Sequence, residues 1–102
     1  MKNVMIRYTL KDDVAIDDVK AAATRFIDAM REHSGAILYT SYQEQEAQRC
    51  FVHVGMFPDA EVVKSMQAKP FFGEFSAFLG ERCAEGPAVT WLSPVASTHI
   101  GK

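Results

Sequence analysis

Hydrophobic positions alternate along residues 3–10, with Val4, Ile6, Tyr8 and Leu10 on one face and Met5, Arg7 and Thr9 on the other. A period of two is that of a strand, and apolar residues on both faces predict a sheet covered on both sides. Over residues 17–33 the spacing turns helical. Val19, Ala23, Phe26 and Met30 recur on one stripe, Ala22 and Ile27 widen it, and Lys20, Thr24, Asp28 and Arg31 fall opposite. Asp17 is the expected N-cap and Gly35 the expected stop.

Residues 36–43, rich in Ile37, Tyr39, Thr40 and Tyr42, predict a second strand, and the polar run 44–48 its exposed turn. Residues 49–57 predict a third strand with unlike faces. Cys50, Val52, Val54 and Met56 are uniformly apolar, whereas Phe51, His53, Gly55 and Phe57 are mixed. The uniform set is therefore assigned to the core and the mixed set to the outer face. A short helix over 59–68 gathers Val62, Val63 and Met66. Lys69 must avoid helical geometry before Pro70, which suits the first turn of a new helix carrying Phe71, Phe75, Phe78, Leu79 and Arg82. Gly86-Pro87 closes the connection, and residues 88–93 predict the last strand.

The order β-α-β-β-α-β, with its second helix broken in two, predicts an α+β ferredoxin-like domain: one antiparallel four-stranded sheet with helices on a single face. Residues 1–94 form that domain and 95–102 a C-terminal tail. The uncovered face would expose Met5, Phe51, Phe57 and an aromatic from the second or fourth strand. A patch of this kind predicts a homodimer closed sheet against sheet.

Composition narrows the function classes. A chain of 102 residues with 48% hydrophobic content makes one small core. Its net charge of −2 supplies no basic footprint, so no nucleic-acid partner is expected. No apolar run approaches the ~20 residues of a membrane span, and the first residues read as a strand rather than a signal peptide. No membrane partner and a cytoplasmic location are the expectations. Cys50 and Cys83 form no C-x-x-C pair and read as free, small hydrophobes. His33, His53 and His99 have no ligand spacing, so no metal is expected.

The stretch FVHVGMFPDAEVVKSMQAKPFFGEF, residues 51–75, joins a strand ending on an aromatic, a short helix, and a Pro-aromatic turn into the next helix. With Phe57, Lys69-Pro70-Phe71 and Met66 in those places, the chain resembles the antibiotic biosynthesis monooxygenase-like family over residues 3–94. The resemblance implies a dimeric α+β barrel and, among the family's activities, cofactor-free oxygenation of aromatic phenols or quinols. The haem-degrading branch resembles a pattern of Asn, Trp and His, where this chain has Ile6, Met66 and Ser76. That activity is disfavoured.

Cofactor-free oxygenation needs little from a protein, because an electron-rich phenolate reduces O₂ itself. Deprotonation, a dry aromatic pocket and a few polar groups suffice. The expected pocket walls are Ile6, Tyr8, Val52, Val54, Met66, Phe71, Phe75 and Trp91, enclosing a small hydrophobic or aromatic ligand. Tyr8 is the expected polar tip. Tyr8 and His53 are the candidate catalytic residues, His53 as a general base because an imidazole is poised near neutral pH. But His53 stands on the face given to the partner, where interface hydrogen bonding is the favoured role. Arg7 is expected to pair with a carboxylate at that interface, and His33 to serve the end of the first helix. The alternative is a non-catalytic dimeric small-molecule-binding or stress-related module in which the same residues are merely core.

Overall fold

The computed structural model describes residues 1–98. The elements run β1 (Lys2–Leu10), α1 (Ile16–His33), β2 (Leu38–Gln43), β3 (Cys50–Phe57), α2 (Ala60–Gln67), α3 (Pro70–Arg82) and β4 (Cys83–Leu92). The four strands form one antiparallel sheet in the order β2-β3-β1-β4, and the helices lie on one side of it. This is the ferredoxin-like arrangement that the element order predicts.

Local chemistry sets most of the boundaries. α2 begins where Asp59 accepts a hydrogen bond from the Val62 amide at 2.9 Å. Lys69 is extended ahead of Pro70, which opens α3 at a position whose amide would lack a partner in any case. α1 starts without a side-chain cap: the residue before it is Ala15, and Asp17 sits in the first turn beside Asp18. The expected N-cap therefore lies two residues too late, inside the first turn, where its charge instead favours the helix dipole. Ser34, rather than Gly35, follows the last residue of α1.

β4 differs most from expectation. It begins at Cys83, directly after α3, and Gly86-Pro87 lies inside it. Pro87 is tolerated because β4 is an edge strand, where a missing amide need not break a ladder. Gly86 has φ 81°, and a Cβ there would come within 2.6 Å of the Arg7 carbonyl oxygen, opposite the irregular register between Arg7 and Thr9. Only glycine fits that approach.

The sheet register fixes which side chains share a face. Tyr8 stands opposite Phe51, Ile6 opposite His53, Val4 opposite Gly55 and Lys2 opposite Phe57. Phe51, His53, Gly55 and Phe57 are consequently buried beneath the helices, while Cys50, Val52, Val54 and Met56 face outward and are half-buried. Both face assignments made for the third strand are thus inverted. A slip of one residue in reading a strand exchanges its two sets of side chains, and the uniformly apolar set proved to be the outer one.

The core joins Val4, Tyr8 and Leu10 of β1 to Phe51 and Phe57 of β3, under Val19, Ala23, Phe26 and Met30 of α1 and Val63, Met66, Phe75 and Leu79 of α2 and α3. Across the sheet, the open face presents Met5, Val52, Val54 and Met56, with Leu38, Tyr42 and Leu92 more exposed at its margins. Arg7 lies on this open face and pairs with Glu44 of its own chain at 2.9 Å.

Candidate functional site

His53 is 1% exposed and is the only buried polar residue of the described core. Its Nε2 lies 2.9 Å from the Tyr8 hydroxyl and its Nδ1 2.9 Å from the Tyr39 hydroxyl. Three strands converge on this arrangement: Tyr8 from β1, His53 from β3 and Tyr39 from β2. Tyr39 finds room because it faces Gly55, where a Cβ would come within 2.8 Å of the tyrosine ring. A mid-strand glycine here is a socket for an aromatic neighbour.

Burial holds this imidazole neutral, lowering its pKa from 6.5 to about 4. A neutral ring has one N–H donor and one acceptor nitrogen, so one tyrosine hydroxyl donates to the ring and the other accepts from it. Burial also raises both tyrosine pKa values well above the ordinary phenol value. The result is an uncharged Tyr8–His53–Tyr39 chain in which both ring nitrogens are hydrogen-bonded.

Phe75 of α3 lies over the imidazole, with ring centres 5.8 Å apart and planes 22° from parallel. The same ring stacks on Phe26 of α1 at 4.4 Å and on Phe78 at 6.4 Å. Phe26 also meets Phe71 and Tyr39 edge-on. The Arg82 guanidinium sits 3.8 Å from the centre of the Phe78 ring and donates to the Phe78 carbonyl, which anchors that wall.

These rings line a cleft of about 280 Å³ between α1 and α3. Phe26, Phe71, Phe75 and Phe78 supply its apolar walls, Ala22 leaves space, and Arg25 and Glu74 add charge. The volume falls just below the ~300 Å³ at which ligand pockets begin, and the lining combines aromatic walls with a few polar groups as such pockets do. Phe75 is shared between the cleft and the core, so the tyrosine–histidine chain lies one layer behind the cleft wall.

The expected site residues divide accordingly. Phe71 and Phe75 meet in the cleft. Tyr8 and His53 are brought together, but Tyr8 turns its hydroxyl to His53 rather than into an open cavity. Ile6 and Met66 pack into the core layer between sheet and helices. Val52 and Val54 are on the opposite face of the sheet and line no part of this cleft. Trp91 stands on the edge strand β4, 48% exposed, with the Lys2 ammonium 5.8 Å from its ring centre.

Three elements of the arrangement escaped the sequence reading: Tyr39, Arg25 and Glu74. Gly55 was the signal for Tyr39, since a glycine amid large strand residues marks a close approach. Arg25 and Glu74 each precede a cleft phenylalanine in the chain, but only the packing of α1 on α3 makes them neighbours of one cavity. His33 reaches across to α2, with Nε2 2.8 Å from the Ser65 hydroxyl. His99 lies outside the described residues.

No protein-family model and no curated protein matches this sequence. Solved structures do match. A structure described as an antibiotic biosynthesis monooxygenase superposes with a TM-score of 0.83 at 20% identity, covering 94% of this chain and 100% of the other. This chain has the antibiotic biosynthesis monooxygenase fold. SnoaB from Streptomyces nogalater, described as a cofactor-independent oxygenase, matches with a TM-score of 0.78 at 13% identity over 95% of each chain. A conserved protein from Methanosarcina mazei matches with a TM-score of 0.80 at 16% identity over 89% of each chain. At such identities the likeness is one of fold, and the chemistry rests on the site. Among the described residues, no helix is long and apolar enough to cross a membrane.

Proposed function

We propose that this protein is a cofactor-independent monooxygenase of a small, planar hydroxyaromatic compound, acting as a homodimer. The observation that carries the reading is the phenylalanine-lined cleft backed by a buried, neutral histidine with both nitrogens held by tyrosines. A flat ring lies against the aromatic wall of Phe26, Phe71, Phe75 and Phe78, which the tyrosine–histidine layer backs through Phe75. Once deprotonated, an electron-rich ring passes an electron to O₂ without help from a metal or flavin. A ring CH₂ then becomes C=O, with one oxygen atom of O₂ retained and the other leaving as water.

In this reading Tyr8 and Tyr39 are positioning residues. They hold the imidazole in one orientation, and the imidazole supports the Phe75 wall. The fold that this chain shares with SnoaB adds weight to oxygenation over a purely structural role.

The open sheet face belongs to the same proposal. Met5, Val52, Val54, Met56, Leu38, Tyr42 and Leu92 make an apolar surface, bordered by Asn3, Arg7 and Thr40, on the side away from the helices. A second copy applied sheet to sheet would bury it.

The test is oxygen consumption by the purified protein with a panel of quinols and anthrone-like phenols. Uptake is expected with at least one of them, matched by one equivalent of a product that carries one oxygen atom from O₂. Compounds that bind the protein yet consume no oxygen above the buffer rate would overturn the oxygenase reading.

A further inference from the structure

The aromatic reading of the cleft leaves its two charges unused. Arg25 of α1 and Glu74 of α3 both line the cavity, one from each helix. Arg25 stands apart from the other arginines. Arg7 pairs with Glu44, Arg31 with Asp28 and Arg82 with Glu81, while Arg49 donates to the carbonyls of Lys11 and Val14. Among the described residues, Arg25 is the one arginine with neither an ion pair nor a hydrogen bond, and Glu74 likewise has none. The two do not pair with each other across the cleft. An unpaired guanidinium from α1 and an unpaired carboxylate from α3 thus border one aromatic cleft.

We infer that the ligand of this cleft is a hydroxyaromatic carboxylate, bound in one orientation. The inference rests on the reading of the cleft as the aromatic site and specifies what that site selects. Arg25 presents a planar fork of donors that matches a carboxylate bidentately, and it attracts the negative end of the ligand. Glu74 repels a second anion but accepts a hydrogen bond from a phenolic O–H, so it takes the hydroxyl end. The body lies against the rings of Phe26, Phe71 and Phe75, which pack on one another to form the cleft wall. A neutral phenol would leave Arg25 without its anion, and an aromatic acid lacking the hydroxyl would bring no donor to Glu74. Opposite charges on the two helices therefore set both the class of ligand and its direction in the slot.

Calorimetric titration with a hydroxynaphthoic acid carrying its two groups at opposite ends of the ring system tests this. Naphthol and naphthoic acid are the controls. The hydroxy acid is expected to bind about three- to tenfold more tightly than either control, a range set by the modest strength of partly exposed ion pairs. Arg25→Gln should erase its advantage over naphthol, Arg25→Lys should restore part of it, and Glu74→Gln should leave the Arg25-dependent part in place. Both positions are exposed, so these variants keep the fold, which circular dichroism checks. If naphthol binds as tightly as the hydroxy acid, or Arg25→Gln leaves their ratio unchanged, the charged-rim inference is wrong while the aromatic cleft stands. If none of the three compounds binds, the aromatic cleft falls and takes the inference with it.

Discussion

The two faces of the sheet are built from alternate residues of the same strands, yet they have opposite characters. Beneath the helices, β1, β2 and β3 present Tyr8, Tyr39, His53, Phe51 and Phe57, a mix of rings and hydroxyls closed to solvent. On the open side the same strands present Met5, Val52, Val54 and Met56, all half-buried, beside the polar Asn3, Arg7 and Thr40. Within β3 the more uniformly apolar set is the one that meets solvent in the single chain. Polarity alone does not tell which face is the core: the helix side tolerates polar atoms because each is hydrogen-bonded. The open side of β3 stays apolar because, in our proposal, it is an interface.

The comparison can be strained most severely at Phe26, which touches Phe71, Phe72, Phe75 and Tyr39. Phe26→Ala should cost about 3–5 kcal/mol by cavity formation, read as a fall in the denaturant midpoint. Val54→Ala on the open face should cost the single chain far less. Equal losses at the two positions would erase the distinction between the faces.

Acid probes the helix side alone. His53 has a folded pKa of about 4 against 6.5 for an unhindered histidine, so the unfolded chain binds the proton first. Stability attributable to His53 is therefore complete above pH ~6.5 and is lost as pH falls from there toward ~4, by ~3 kcal/mol in all. Urea unfolding across that range should show a loss in the wild type that His53→Gln, which has no proton to take up there, lacks. Parallel curves for the two proteins would mean that His53 is hydrated.

Removing a hydroxyl is a gentler cut. Tyr8→Phe or Tyr39→Phe leaves one buried imidazole nitrogen unpartnered and should cost about 1–3 kcal/mol. The double variant should lose less than the sum of the two, because the hydroxyls serve one ring. Additive losses in a double-mutant cycle would contradict the shared network. Smallest of all, Arg7→Gln on the open side breaks an exposed pair with Glu44 and should change the stability of the chain by under ~1 kcal/mol.

Much of this fold was legible in the residues. The period of β1 placed Val4, Ile6, Tyr8 and Leu10 on the covered face, and Pro70 marked the start of α3. The phase of β3 was not legible from its own composition, since a single-residue choice exchanges the two faces. Gly55 held the answer: a glycine between His53 and Phe57 has no use on an open face but makes room for Tyr39 on a crowded one. The start of β4 was hidden because α3 passes into it without a turn, and because Gly86-Pro87 reads as a break wherever it stands. The phenylalanines of the cleft were recognisable on α3, while Arg25 and Glu74 join it only through helix packing.

The division of labour between the faces rests on a second copy covering the open one. Light scattering at micromolar concentration measures this directly. The account predicts a mass of twice the 11.4 kDa chain for the wild type and a single chain mass for Val54→Lys, with the helix-side network and its acid response intact. A wild-type protein that runs as one folded chain of 11.4 kDa would contradict it.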